Sequence, residues 1–396
     1  MKDTTKIIHK GRKAVEHFGT VNPPICQTST MIFPTLADYD KAEEGEIFYK
    51  PLFTSNTTDP AYGIAGNQTH FALQEILREL ENAASCYLTS SGLSAITVTL
   101  VGLLEAGDHL LMVDCVYGPT RRFCNKILAK NGVETTYYNP EIGADIAKLI
   151  KPNTKVIFME SPGSLTFEAQ DISAIVKVAK ERNIKTVIDN SWATPLYLKP
   201  LDLGVDVSIH AVTKFINGGS DLLMGAILSN KETSPRIANI VKNLGISVSA
   251  YDCSLVLRGI RSLKARLDYQ QKTLKKVLAY LKTEPKVKEI LCPAFEGFSG
   301  YNMWKKYFKG ATPLFSIRLD NKYTNEQLAK AIDNYEYISV GASWGGFESL
   351  VRVLKLDGVR TAVSNRYNNT LIRYYLGLED ADDIINDLKE GFKRLS

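Results

Sequence analysis

Two stretches of this 396-residue chain end on side chains suited to carbonyl chemistry. Val205 to Val212 is a run of β-branched and apolar residues that delivers Lys214 beside Thr213, just ahead of Gly218 and Gly219. Ligands of open α/β sheets sit at strand ends, and an amine held there away from water has its pKa lowered enough to attack a carbonyl. A lysine that caps a strand with its ammonium in water has the same letters. Upstream, Thr186 to Ile188 forms a second β-branched strand that ends on Asp189 and turn residues.

A lysine able to form a Schiff base, with an acid at a neighbouring strand end to keep a pyridine ring protonated, is the pair that pyridoxal 5'-phosphate (PLP) requires. The elements around the pair must then supply a phosphate site and a platform for the ring. From Asn67 the periodicity predicts a helix with Phe71, Leu73, Ile76, Leu77 and Leu80 on one face. Strand, tight turn, buried helix and strand follow, and the turn Ser90, Ser91, Gly92, Leu93 opens the helix. Its free N–H groups and dipole make a phosphate cradle, although a serine-capped helix start reads the same way for structural reasons. Tyr117 falls in a loop after the next strand, where it could stack on a flat cofactor or pack on the helix it precedes. Further αβ units, VETTYYN, KVIFMESPGS and a helix around Asp171 to Arg182, imply a largely parallel sheet covered on both faces.

Composition bounds the alternatives. Hydrophobic residues make up 44% and charged residues 23%, and the net charge of +5 comes from 48 basic and 43 acidic residues without a basic block, which argues against a nucleic-acid partner. Six cysteines, Cys26, Cys86, Cys115, Cys124, Cys253 and Cys292, show neither CxxC spacing nor paired histidines, so no metal site or disulfide framework is expected and reduced thiols fit a cytoplasmic protein. MKDTTKIIHKGRK is polar and unlike a signal, and the longest apolar run, Ala95 to Leu104, falls short of the ~20 residues of a membrane span.

Residues 1–64 read as an extended arm in which PPICQTSTMIF could be a short edge strand and Tyr49 and Tyr62 are candidate contacts. Beyond Gly259, LKARLDYQQKTLKKVLAYLKTEPKVKEI reads as one long amphipathic helix leading to a smaller unit. There ATPLFSIRLD reads as a strand and TNEQLAKAIDN as a helix with a Thr cap.

Tyr62, the SSGL turn at 90–93, Tyr117, Asp189 and Thr213-Lys214 occur in the order and approximate spacing of the Cys/Met-metabolism (trans-sulfuration) PLP enzymes of fold type I. That family includes cystathionine β-lyase, cystathionine γ-lyase and cystathionine γ-synthase, and the chain resembles it over nearly its whole length. The resemblance implies a PLP-dependent transferase-like α/β fold: an arm (1–64), a PLP-binding domain (65–260) with a mainly parallel seven-stranded sheet, and a smaller α+β C-terminal domain (261–396). It implies that Lys214 carries PLP and acts as general base, Asp189 pairs with the pyridinium, Tyr117 stacks on the ring, and Gly92, Leu93 and Thr213 hold the phosphate. Tyr62 would reach that phosphate from a neighbouring subunit, in a homo-oligomer expected to be a tetramer built from dimers. Arg373 in LIRYYLGLED would clamp the carboxylate of an amino-acid substrate. Ser343 and Trp344 would shape the pocket, and SWGGFESL resembles the bacterial β-lyase form of that loop.

The implied reaction is β-elimination of L-cystathionine to homocysteine, pyruvate and ammonia in methionine biosynthesis, with Lys214 or Tyr117 protonating the leaving sulfur. Slow racemisation of alanine beside it is also expected, with Tyr117 as the second acid. The alternatives are a γ-lyase or γ-synthase, an amino-acid racemase, and a PLP-fold protein retained for binding, against which the Lys214, Asp189 and Arg373 set argues. Three departures stand out: Ile64 where the family commonly has arginine, Ala211 where many members have serine, and an insertion between Phe48 and Tyr62 relative to shorter bacterial enzymes.

Overall fold

The computed structural model describes residues 1–44, 62–356, 359–363 and 369–395. Tyr49 and the Phe48–Tyr62 insertion lie outside them, Tyr62 itself excepted. Seven strands form the first sheet: β1 (Ser85–Thr89), β2 (His109–Val113), β3 (Glu134–Tyr138), β4 (Thr154–Glu160), β5 (Lys185–Asp189), β6 (Val207–Ala211) and β7 (Gly225–Ser229). Their order is β1-β7-β6-β5-β4-β2-β3. β7 runs antiparallel to both β1 and β6, and the remaining pairs are parallel, so the other six strands share one direction. Strands β1, β2 and β7 are buried along their whole length, because helices cover both faces and both sides of each strand meet apolar neighbours. The carboxyl ends of β1, β2, β4, β5 and β6 therefore lie on one edge, where a ligand crevice belongs.

A second sheet follows helix Leu263–Leu281: β8 (Val287–Leu291), β9 (Leu314–Leu319), β10 (Ser339–Val340), β11 (Leu350–Leu354) and β12 (Leu371–Tyr375), in the order β10-β11-β12-β9-β8. Only the β10–β11 pair is parallel. The stretch expected to be one long helix is thus divided, since its last four residues, VKEI, begin β8, whose buried Ile290 and Leu291 pair with β9.

The first 44 residues are not extended throughout. Asp3–His9 is helical and buries Ile7 against helix Gln68–Glu81, with Lys6 donating to the Glu79 carbonyl at 2.7 Å and Lys199 to Asp3 at 2.9 Å. Leu36–Glu43 is a second helix, capped by Thr35. The expected edge strand in PPICQTSTMIF reduces to a single bridge between Thr30 and Tyr62. Among the described residues no helix is long and apolar enough to cross a membrane.

Candidate active site

Lys214 lies in the turn that leaves β6. Its N–H donates to the Ala211 carbonyl at 3.0 Å, and the fully buried Phe215 and nearly buried Ile216 anchor the chain immediately after it. The ε-amine donates to Ser343 Oγ at 2.5 Å and lies 5.1 Å from the centre of the Trp344 ring. Burial, reinforced by the positive charge of Arg373 and opposed by Asp189, pushes the amine down to about 8. Gly345 explains how the 343–346 loop comes so close. It adopts φ +91°, and a Cβ there would stand 2.7 Å from the Lys214 backbone.

Asp189 ends β5, beside the β6 strand that leads to Lys214. One of its oxygens accepts the Ser191 N–H at 2.9 Å, and Ser191 Oγ in turn accepts the Ala211 N–H at 2.7 Å, tying the two strand ends together. Burial raises the Asp189 carboxyl above its usual range, opposed by the Ser191 hydrogen bonds and by His210 and Lys214. A ring cation placed against this carboxylate would relieve that cost, so the acid suits a protonated pyridine. Beneath it, the fully buried Glu81 accepts from Asn190 at 3.0 Å and Ser208 at 3.1 Å and contacts His210 Nε2 at 2.5 Å, fixing the ends of β5 and β6 from behind.

The SSGL turn opens helix Gly92–Leu103. Ser91 Oγ accepts the Ser94 N–H at 3.0 Å and the helix ladder begins with Ala95 N to Ser91 O, which leaves the Gly92 and Leu93 N–H groups without intrahelical acceptors. A Cβ on Gly92 would stand 2.6 Å from the Ala211 Cβ. The close approach of helix start and β6 therefore needs glycine at 92, and the small side chain at Ala211 faces that contact. Thr213 Oγ1 exchanges hydrogen bonds with Met224 across the same turn, at 2.9 and 3.1 Å. The two free amides and the neighbouring hydroxyl could cradle a phosphate.

Tyr117 caps helix Gly118–Phe123 and is 46% exposed, so its ring is available to a ligand. Its N–H donates to Glu160 Oε2 at 2.7 Å, and Ser164 Oγ donates to the other Glu160 oxygen at 2.5 Å. Burial, then the charges of Asp189 and Glu160, raise the phenol above its usual value, against the smaller opposing effects of Arg122 and Arg352. Glu160 is itself pushed up to about 8, by burial and then by Asp189, its in-register neighbour on β5. Sequence reasoning missed Glu160, although it ends KVIFME as Asp189 ends KTVID.

Arg373, on β12, is 5% exposed, and its Nη2 donates to the Ala342 and Ser343 carbonyls at 2.8 and 3.0 Å. Its Nε is buried without a partner, a donor open to a carboxylate. Burial, then the neighbouring Arg352, pull its pKa down to about 10, against the opposing effect of Tyr117. Lys214, Ser343, Trp344 and Arg373 therefore form one group, facing Tyr117, Glu160 and Asp189. Tyr62 stands apart: its backbone bridges Thr30, its side chain is 55% exposed, and no contact of the described residues joins it to Lys214. Ile64 is also exposed, at 45%.

The family described as Cys/Met metabolism PLP-dependent enzyme matches residues 4–393. A protein named L-alanine/L-glutamate racemase from Wolbachia pipientis wMel is 41% identical over 396 residues, covering 100% of this chain and 98% of that one. Cystathionine beta-lyase MetC of Escherichia coli is 37% identical over 400 residues, covering 99% of this chain and 98% of that one. Among solved structures, cystathionine gamma-lyase from Lactobacillus plantarum complexed with L-serine has a TM-score of 0.88 at 26% identity, covering 100% of this chain and 99% of that one.

Proposed function

Since this chain belongs to the Cys/Met metabolism PLP-dependent enzymes, we propose that it is a carbon–sulfur lyase that cleaves L-cystathionine on the β side, giving homocysteine, pyruvate and ammonia. The observation that carries this reading is the SWGGFESL loop, whose Ser343 and Trp344 close on the Lys214 amine. Relatives named cystathionine beta-lyase support it. The cofactor site would lie within 65–260 and the carboxylate clamp within 261–396.

When bound, PLP supplies an aldehyde for the amino group and a protonated ring that accepts the electron pair left at the α-carbon. Asp189 would keep the ring nitrogen protonated. The Gly92 and Leu93 amides and Thr213 would hold the phosphate, Tyr62 reaching it from a second copy in a homo-oligomer. Lys214, held near 8, can be neutral enough at physiological pH to take the α-proton. Arg373 would bind the substrate carboxylate through the donors its backbone contacts leave open. Tyr117, its phenol raised, keeps a proton to give to the departing sulfur, as Lys214 could once it is charged.

A second reading, amino-acid racemisation, is favoured by the 41% identical relative and by the raised Tyr117 phenol, which keeps its proton. With no leaving group at the β-carbon, the α-carbon can only be reprotonated, and a second acid would invert it. Incubating the holoenzyme with L-cystathionine and identifying the keto acid tests the first reading. Pyruvate is expected, absent from Lys214→Ala; predominant 2-oxobutyrate would place the enzyme with the γ-lyases. Chiral chromatography of L-alanine incubations tests the second, which fails if wild type forms no more D-alanine than Lys214→Ala.

A further inference from the structure

A second guanidinium lies beside the proposed carboxylate clamp. Arg352 on β11 stands in register with Arg373 on β12, and residues directly opposite in an antiparallel pair project from the same face with Cβ atoms about 4.5–5.5 Å apart. The alternate face of β11 is buried through Val351, whereas Arg352 is exposed. Its guanidinium acts electrostatically on Arg373 beside it and on the Tyr117 phenol, which belongs to the other sheet's edge. Arg373, on the same face, reaches the Ala342 and Ser343 carbonyls beside Lys214, so Arg352 projects from the side of the second sheet that carries the site. Among the described residues no carboxylate pairs with it and no hydrogen bond restrains it.

Two like charges directly opposite on adjacent strands repel, and no acid among the described residues pairs with Arg352 to offset this. A single α-carboxylate needs one guanidinium, already supplied by Arg373 in the proposed function. A second cation on the same face, held close to the first and left open, gains a partner when the ligand brings a second anion. From this geometry we propose that Arg352 binds the distal carboxylate of a substrate with two carboxylates. Acidic amino acids such as glutamate have that chemistry, and so does cystathionine, whose far end carries its own carboxylate. The inference rests on Arg373 taking the α-carboxylate. It does not depend on which bond the enzyme breaks.

The test is titration of the visible cofactor spectrum of wild-type, Arg352→Leu and Arg352→Lys holoenzymes with L-glutamate, L-cystathionine and L-alanine. Alanine lacks the second carboxylate and serves as the reference ligand. In Arg352→Leu the Kd for glutamate or cystathionine, relative to that for alanine, should rise about 10- to 100-fold, the effect of losing one charge-assisted hydrogen-bonded contact. Arg352→Lys should recover part of it. The ligand whose ratio rises identifies which dicarboxylate the position serves. An unchanged ratio for both, or wild-type binding of both no tighter than of alanine, would overturn the proposal. Absence of pyruvate from cystathionine would defeat the lyase reading alone, because glutamate and alanine have no β leaving group and their binding ratio reports on Arg352 without β-elimination.

Discussion

Lys214 should capture an aldehyde with a pH midpoint near 8, where an ordinary lysine titrates at 10.5. At pH 7 about one amine in ten would then be neutral, against about three in ten thousand for an unperturbed lysine. Capture of PLP by the apoprotein should accordingly rise about fivefold from pH 7 to 8 and less than about twofold from 8 to 9. Stopped-flow absorbance after mixing with PLP measures the rate. Dividing by the rate of a free lysine derivative, itself corrected to its neutral fraction, removes the cofactor's own titrations. Two variants give the sign of each cause. Ser343→Ala removes the acceptor 2.5 Å from Nζ, which favours the charged amine. Such a bond contributes about 0.5–1.5 kcal/mol and one pKa unit is about 1.4 kcal/mol, so the midpoint should fall by up to about one unit. Arg373→Leu removes a repelling charge and should raise it. A wild-type rate that climbs tenfold per pH unit as far as pH 10 would refute the argument that burial holds the amine down.

The other predictions concern Arg373 on the second sheet and Asp114, which follows β2 of the first and accepts from Thr361, Ala362 and Val363. Arg373→Lys should lower kcat/KM by about 10- to 100-fold, because an ammonium cannot reproduce a planar fork; steady-state kinetics that differ less than twofold would remove Arg373 from the carboxylate contact. Asp114→Asn should cost about 3–5 kcal/mol in urea unfolding by leaving the buried Arg121 without its carboxylate at 2.5 Å and by weakening the bonds to Thr361, Ala362 and Val363. Burial opposes ionisation of Asp114, but those N–H groups and Arg121 outweigh it and hold the carboxyl below its usual 3.8, so its stabilisation is present above that value and lost as pH falls through the lower folded one; a variant as stable as wild type, with the same acid limb, would contradict this.

Much of the fold was legible because its signals are periodic. Lys214 and Asp189 could be read from β-branched runs that stop at turn residues, and helix Gln68–Glu81 from its apolar face. Glu160 ends a strand in the same manner, yet a lone acid after an apolar run also reads as a solvated strand end; only the register with Asp189 and the bond to Tyr117 reveal its place. Arg352 was hidden for a similar reason. In LVRVL an arginine between valines looks like the solvent face of an edge strand, and its neighbour Arg373 lies 21 residues further along the chain, reached only through strand pairing. Short helices such as Asp3–His9 leave almost no sequence signal, since seven residues gain their stability from packing rather than propensity.

The charges of the site are sorted by sheet, and that order constrains how any amino acid can lie in it. Glu160 and Asp189 end adjacent strands of the first sheet, so that edge is acidic and the nearby Tyr117 phenol resists ionisation. Arg373 and its in-register neighbour Arg352 belong to the second sheet, and the Lys214 amine feels both Arg373 and Asp189. A substrate should therefore enter with its carboxylates toward the second sheet and its amino group toward the acids, which would bring the α-carbon near the Lys214 amine, held by burial near 8. With that orientation fixed by charge, the outcome turns on proton supply and on the β-substituent. In the proposed reactions a sulfur at the β-carbon would leave once protonated, whereas a β-carbon without a leaving group would allow only reprotonation of the α-carbon, and Glu160, which accepts the Tyr117 N–H at 2.7 Å, positions the residue that both courses would call on for a proton.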